Sequence, residues 1–356
     1  MARIAFYAAL KSPHHPVASG ERTIARNLMT AIEKPRHSVD LASEFRPFDK
    51  NGSPKTQNAF LAEADAIAKG LIAQGSWDAW VSYHSYYKAP DLLGPVVSKT
   101  LGIPYLSIEA TRASKRLGGP WDQFERKAMD ACDAADVLFH FTARDAVALW
   151  RDLQDHQLLV GLPPFLGRET LPEPARPETP LILIAGMMRA GDKLASYEIA
   201  AEVLALLEGD WQVEIAGDGP ERARVEALMA PFGPRVRFLG GLDEAGMTEA
   251  YRRARAFFWP GVNEAFGMVY LEAQAHGVPV VAQDRLGVNE VVSAAGLCAV
   301  DRPKALAEAL GQLLNDDAFH AARSAAARDK VSKHHLMGAA RNTLWGALSP
   351  LISETP

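Results

Sequence analysis

Short apolar runs alternate with amphipathic helical stretches along most of this chain, and that alternation leaves few architectures open. Arg3–Ala8 (RIAFYA), Ala79–Tyr83 (AWVSY), Pro104–Ile108 (PYLSI) and Val137–Phe141 (VLFHF) read as strands. Each is a short, nearly continuous apolar run rather than an alternating one, as expected of strands covered on both faces. Between the first two, a helix from about Glu21 to Ile32 places Ile24, Leu28 and Ile32 on one face. Strands of this kind separated by helices predict a parallel sheet between two helical layers.

The pattern breaks once. Leu162–Pro180 (LPPFLGRETLPEPARPETP) holds six prolines and no apolar period. Proline fixes φ and disfavours helix in the residue before it, so this stretch reads as a linker. The alternation then restarts with Leu181–Ala185, Gln212–Ala216, Val236–Leu239, Ala256–Trp259 and Pro279–Ala282. The expectation is an α/β chain of two successive doubly wound domains, residues 1–165 and 166–335, followed by a helix within residues 336–356. A length of 356 residues suits two domains of ordinary size.

The bulk numbers mostly exclude. With 48% hydrophobic and 23% charged residues, the chain has apolar material for two cores. A net charge of −5 offers no global attraction for nucleic acid. Cys132 and Cys298 are the two cysteines, too few for a disulfide framework or a cysteine-based zinc site. The start, MARIAFYAAL, does not read as a signal peptide, and apolar runs stop well short of about 18 residues. The expected location is cytoplasmic, with membrane association at most peripheral at the inner face.

Chemistry concentrates in Trp259–Glu290 (WPGVNEAFGMVYLEAQAHGVPVVAQDRLGVNE). A strand ends at Trp259, a Pro-Gly turn follows, and a helix is predicted from near Phe266 until Gly277 stops it. The first N–H groups of such a helix (Gly267, Met268, Val269) lack intrahelical acceptors and, with the macrodipole, form an anion site suited to a diphosphate. Glu264 precedes the helix and Glu272 follows eight positions on, roughly 12 Å along a helix axis. That span matches the distance from ribose to hexose across a diphosphate. The plainer reading is a dipole-favoured glutamate plus an incidental acid on an exposed face. Upstream, Arg189 and Lys193 lie near the start of another helix, where two cations are disfavoured unless an anion joins them. As ligands they would act as a fork and a point charge; otherwise they are ordinary surface cations.

In the first domain, Ser19-Gly20 precedes a helix, and a glycine there permits close backbone approach to a ligand. His84 follows the strand AWVSY, at the carboxyl end where open α/β sheets place ligand sites. Arg112, Lys115 and Arg116 form a small basic cluster, either solvated or meeting an anionic acceptor. His14-His15 reads as a surface loop.

EAFGMVYLEAQAHGVPVVA resembles the E-x7-E signature of retaining GT-B glycosyltransferases of family four, the "glycosyl transferases group 1". ARAFFWPGVNEAFG resembles the family's approach to that signature, and GVNEVV its later Gly-x-x-Glu, with Leu286 where a typical member has glycine. AGDGPERARVEAL and VRFLGGLD are similar to further family segments. The resemblance implies a GT-B fold of two Rossmann-like domains facing a cleft that closes on the donor, with the chain end crossing back to the first domain. It implies transfer of a sugar, with retention, from a nucleoside-diphosphate sugar (UDP favoured over GDP) to an acceptor hydroxyl on a glycan, lipid or small molecule. Glu264 and His84 would be catalytic. Gly20, Arg189, Lys193, Leu242, Ala265, Phe266, Gly267, Met268, Val269 and Glu272 would bind the donor, Leu242 at the base. No DxD-like cluster is present, so no metal and no cofactor beyond the donor are expected. A sugar-nucleotide epimerase or hydrolase of the same fold and a non-catalytic sugar-nucleotide-binding protein are the alternatives. A nicotinamide-dependent dehydrogenase lacks its G-x-G-x-x-G after the first strand.

Overall fold

A computed structural model describes residues 1–17 and 19–352, and it divides into two compact units. The first comprises Met1–Pro163 and Met337–Pro356, the second Pro164–Leu336.

The first unit opens with β1 (Ala2–Ala8) and α1 (Gly20–Ile32). The Ser19 hydroxyl caps α1 by accepting the Arg22 N–H at 3.3 Å, and Ile24, Leu28 and Ile32 form its buried stripe. The chain continues through β2 (His37–Ser43), α2 (Pro54–Gln74), β3 (Ala79–Tyr83), α3 (Gly94–Leu101), β4 (Tyr105–Ile108), α4 (Asp122–Ala134), β5 (Val137–His140), α5 (Ala143–Arg151) and β6 (Leu158–Gly161). The six strands form one parallel sheet in the order β2-β1-β3-β4-β5-β6. Every residue of β3 and β4 is buried. Tyr7, Trp80, Tyr105, Phe124 and Leu138 belong to a core cluster of this unit.

The second unit repeats the plan with β7 (Leu181–Ala185), α6 (Asp192–Leu204), β8 (Gln212–Ala216), α7 (Arg222–Met229), β9 (Val236–Gly240), α8 (Glu244–Arg253) and β10 (Ala256–Phe258). Then come α9 (Met268–Ala275), β11 (Val280–Gln283), α10 (Val288–Val291), β12 (Leu297–Cys298), α11 (Pro303–Asn315) and α12 (Asp317–His334). Its sheet is parallel, in the order β12-β11-β10-β7-β8-β9. The closing helix α13 (Met337–Leu348) belongs to the first unit. There the Trp345 indole N–H donates to the Ile32 carbonyl at 2.9 Å, while Lys34 lies 4.1 Å from its ring centroid. No described helix is long and apolar enough to cross a membrane.

Three strands escaped the sequence pattern. β2 and β6 are edge strands without a buried residue; β2 breaks its apolar positions with Ser and Asp, and the apolar run of β6 is only Leu158–Val160. β12 is two residues long. The helix expected from Phe266 starts two residues later, because Gly267 takes φ +80° and ψ 91°, outside the helical region.

Candidate active site

A parallel sheet delivers its loops to the carboxyl ends of its strands, and in the second unit those loops are packed against one another through glycines. Gly217 follows β8 at φ +148°, and a Cβ there would lie 1.9 Å from the Gly186 carbonyl oxygen after β7. Gly287, at φ +90°, is equally constrained, since a Cβ would stand 1.8 Å from the Ala265 carbonyl oxygen. No other residue fits either place. Asn263 also enters the left-handed region, at φ +49°, and its side-chain amide donates to Asp192 at 2.9 Å. The Val262 N–H donates to the Ser196 hydroxyl at 3.1 Å. The loop after β10 is thereby tied to the first turns of α6.

That tie brings Glu264 and Lys193, 71 positions apart, into a direct ion pair. The same carboxylate oxygen accepts the Trp259 indole N–H at 2.9 Å, and the Lys193 ammonium lies 5.6 Å from the Trp259 ring centroid. Trp259 is completely buried, so the pair is anchored on a rigid base. Arg189 is exposed in the loop that leads into α6, and Lys193 is the second residue of that helix. At the start of α9, Met268 and Val269 offer first-turn N–H groups, whereas Gly267 is the cap residue. Phe266 is buried and Ala265 exposed. Glu272 is not the incidental surface acid of the plainer reading. It is half-buried inside α9, and burial raises its pKa, opposed by the hydrogen bond it accepts from the Tyr251 hydroxyl at 2.9 Å. Leu242 is half-buried after the edge strand β9, beside Asp243, whose carboxylate caps α8 by accepting the Gly246 N–H at 2.8 Å.

The first unit builds a different cluster. β3 and β4 pair Tyr83 with Ile108, which puts the next residues, His84 and Glu109, side by side beyond the strand ends. Both stand in the left-handed region, at φ +58° and +57°, a conformation that costs a non-glycine residue on the order of 1 kcal/mol. The His84 Nδ1 lies 2.8 Å from a Glu21 carboxylate oxygen and 3.5 Å from Glu109. The Tyr83 hydroxyl donates to the same Glu21 oxygen at 3.0 Å. Burial alone would push the His84 imidazolium down, yet Glu109 and Glu21 outweigh it and hold the pKa up at about 9. Burial drives Glu109 up to about 7 against the pull of His84. Burial also acts to raise Glu21, but its hydrogen bonds from His84 and Tyr83 leave it lowered. The result is a proton held between two glutamates, at physiological pH, beside the ends of two central strands.

Glu21, His84 and Glu109 also offer ligand atoms within 4.8 Å of one another. Among the described residues they are the one such group of His, Cys, Asp or Glu close enough to share a cation. The proton on His84 sits where that cation would go.

Sequence reading found His84 but missed Glu21 and Glu109. The available signal was a polar residue directly after the buried run YLSI, in register with His84. Gly20 is the first residue of α1, with nothing within 4 Å of the place a Cβ would take. Open space, not crowding, is what a ligand would find there. Arg112 is corrected outright. It is 8% exposed and paired with Asp133, so it leaves the basic cluster to Lys115 and Arg116.

Residues 179–316 match the family model described as "Glycosyl transferases group 1". Over 311 residues the chain is 28% identical to an exopolysaccharide phosphotransferase of Streptomyces coelicolor, covering 84% of this chain and 31% of that protein. This chain thus spans about a third of that relative. It is 27% identical over 322 residues to a D-inositol 3-phosphate glycosyltransferase of Xylanimonas cellulosilytica, covering 81% and 75%. The Anabaena protein HepE, solved with UDP and glucose, superposes with a TM-score of 0.72 at 14% identity, over 99% of this chain and 100% of that one. That likeness shows a GT-B fold, two Rossmann-like units with parallel sheets.

Proposed function

We propose, from the match of residues 179–316 to the glycosyl transferases group 1, that this chain moves a sugar from a nucleoside-diphosphate sugar to an acceptor hydroxyl. One observation carries the reading furthest: Lys193 and Glu264 meet on buried Trp259, at the start of α6 and in the loop leading to α9. A diphosphate entering there finds an ammonium already positioned, the exposed Arg189 nearby in sequence, and the N–H groups of Met268 and Val269 at a helix N-terminus. Negative charge develops on the departing diphosphate, and fixed donors stabilise it without reorganising. Glu264, held by Trp259 and Lys193, orients the sugar. Glu272, steadied by Tyr251, takes the ribose hydroxyls.

Three finer points belong to the same proposal. The nucleotide is UDP, a reading supported by the UDP-bound relative in fold, with GDP as its rival. Charge is stabilised by these cations and dipoles without a donor-bound metal. The sugar keeps its anomeric configuration. In the first unit, Gly20 leaves room for the reacting ligand, and His84 with Glu109 addresses the acceptor hydroxyl.

The test is proton NMR of a turnover mixture of UDP-glucose and a panel of acceptors in EDTA. A new α-glycoside formed from the α-linked donor is the expected product. Release of free glucose or an epimerised donor at the same rate with and without acceptor would replace the transferase by the hydrolase or epimerase alternative.

A further inference from the structure

Beyond His84, the loops at the carboxyl ends of β3 and β4 carry a ladder of half-exposed aromatic rings. His84 and Tyr86 have centroids 5.2 Å apart, Tyr86 and Tyr87 5.4 Å, and Tyr87 and Trp121 5.6 Å. Two cations stand over its far end. The Arg116 guanidinium is 4.6 Å from the Tyr87 centroid and 5.6 Å from that of Trp121, and the Lys88 ammonium is 5.6 Å from each.

We propose that this ladder is a subsite for a sugar or cyclic polyol that carries a phosphate group, with the ring lying on Tyr86, Tyr87 or Trp121 and the phosphate between Lys88 and Arg116. Its service as the acceptor subsite rests on the transferase reading; its affinity does not.

The loops are held in place independently of any ligand. Tyr86 and Ala89 bridge across a two-residue turn, through N–H···O contacts of 2.9 and 3.3 Å, so that Tyr87 and Lys88 form its tip. Ser85 accepts the Asp91 N–H at 2.9 Å and its carbonyl accepts the Thr111 N–H at 3.0 Å. The Trp121 indole N–H is already spent on the Asp49 carbonyl at 3.0 Å, and the Asp49 N–H on the Lys88 carbonyl at 2.8 Å. A platform so braced loses little entropy on binding.

Its chemistry selects one ligand class. The faces of these rings suit the CH face of a pyranose, while the Tyr87 hydroxyl already accepts from Arg116 and the Trp121 indole N–H donates to Asp49. Burial first, then the neighbouring tyrosine and Glu21, pushes the Tyr86 hydroxyl up to about 12, so it stays a donor. No carboxylate lies within ion-pair distance of Lys88 or Arg116 among the described residues. A cation over a half-exposed ring is only weakly held there, and the more distant Glu125 offsets part of the Arg116 charge, so Lys88 keeps its charge whole and Arg116 keeps part of its own. Two donors of net charge above one suit a phosphate monoester, of about −1.5 to −2, better than a single carboxylate.

The experiment is a set of calorimetric titrations of the full chain at pH 7.5. The probes are methyl α-glucoside 6-phosphate, methyl α-glucoside, methyl α-glucuronide and inorganic phosphate. The phosphorylated glucoside should bind at least tenfold more tightly than each of the others. Lys88→Met and Arg116→Met, which keep side-chain length, should each weaken it about tenfold. Equal affinity for the glucuronide or for inorganic phosphate, or unchanged affinity in both variants, overturns the assignment. UDP titrated into the same proteins reads the second unit separately. UDP affinity unaltered in the variants excludes misfolding as the cause of their loss. Failure of wild-type protein to bind UDP would sink the transferase reading while leaving the sugar-phosphate result to stand or fall by itself.

Discussion

The two units use the same sheet plan and gather chemistry at the same strand ends, yet they assemble it in opposite ways. In the second unit the essential groups sit in two short segments, residues 186–193 and 259–272. Glycines let those loops pack, and a lysine–glutamate pair is held on a buried tryptophan. In the first unit, Glu21 comes from the first turn of α1, His84 and Glu109 from the loops after β3 and β4, and they meet only because β1, β3 and β4 are neighbours in one sheet. A local motif fixes the proposed anion site, whereas long-range register builds a proton-holding cluster that a change of loop could retune.

The contrast breaks most easily at the ion pair. Lys193→Met and Glu264→Gln should each lower kcat/KM by about 10²–10³, the usual loss when one fixed group facing developing charge is removed. Lys193→Met should also weaken UDP binding, measured by calorimetry, while Glu264→Gln leaves UDP affinity within a few-fold. Wild-type turnover in both variants would show that the second unit's pair is merely structural.

Next in size is the backbone that the pair depends on. Gly287→Ala puts a methyl group against the Ala265 carbonyl at a φ of +90°. The expected cost is on the order of 3 kcal/mol in the second unit, read as a fall in Tm together with weaker UDP binding. An unchanged Tm would mean that the two donor loops are not packed as described.

The smallest effect belongs to the first unit and separates it from the second. His84 holds its proton up to about pH 9 when folded, against about 6.5 when unfolded. Its stabilising contribution is complete below pH 6.5 and is lost as pH rises toward 9. Glu109, raised to about 7, has the same sign, its contribution fading from about pH 4.5 to 7. The lowered Glu21 acts oppositely, losing its contribution only as the solution becomes acid. The full chain should therefore melt several degrees lower at pH 9 than at pH 6.5, and His84→Gln should flatten that difference. A melting temperature with the same pH slope in wild type and variant would remove the charge assignment.

Much of this was legible in the sequence, for reasons that differ by place. β3, β7 and β8 have the expected limits because their apolar runs are short and bounded. The second unit's candidate residues were visible because helix starts, glycine stops and acid spacing are local. β2 was hidden because HSVDLAS packs only partly, one side of an edge. Glu109 was hidden because its meaning depends on His84, 25 positions earlier, through the pairing of Tyr83 with Ile108. Arg112 misled because its partner Asp133 comes from α4, and no local pattern announces that contact.

The most direct test of the central claim is calorimetric titration of the purified chain with UDP, GDP and NAD in the presence of EDTA. The account predicts micromolar binding of UDP, or of GDP in its place, undiminished by chelation and weakened by Lys193→Met. Binding of NAD alone, or of neither diphosphate, would contradict it.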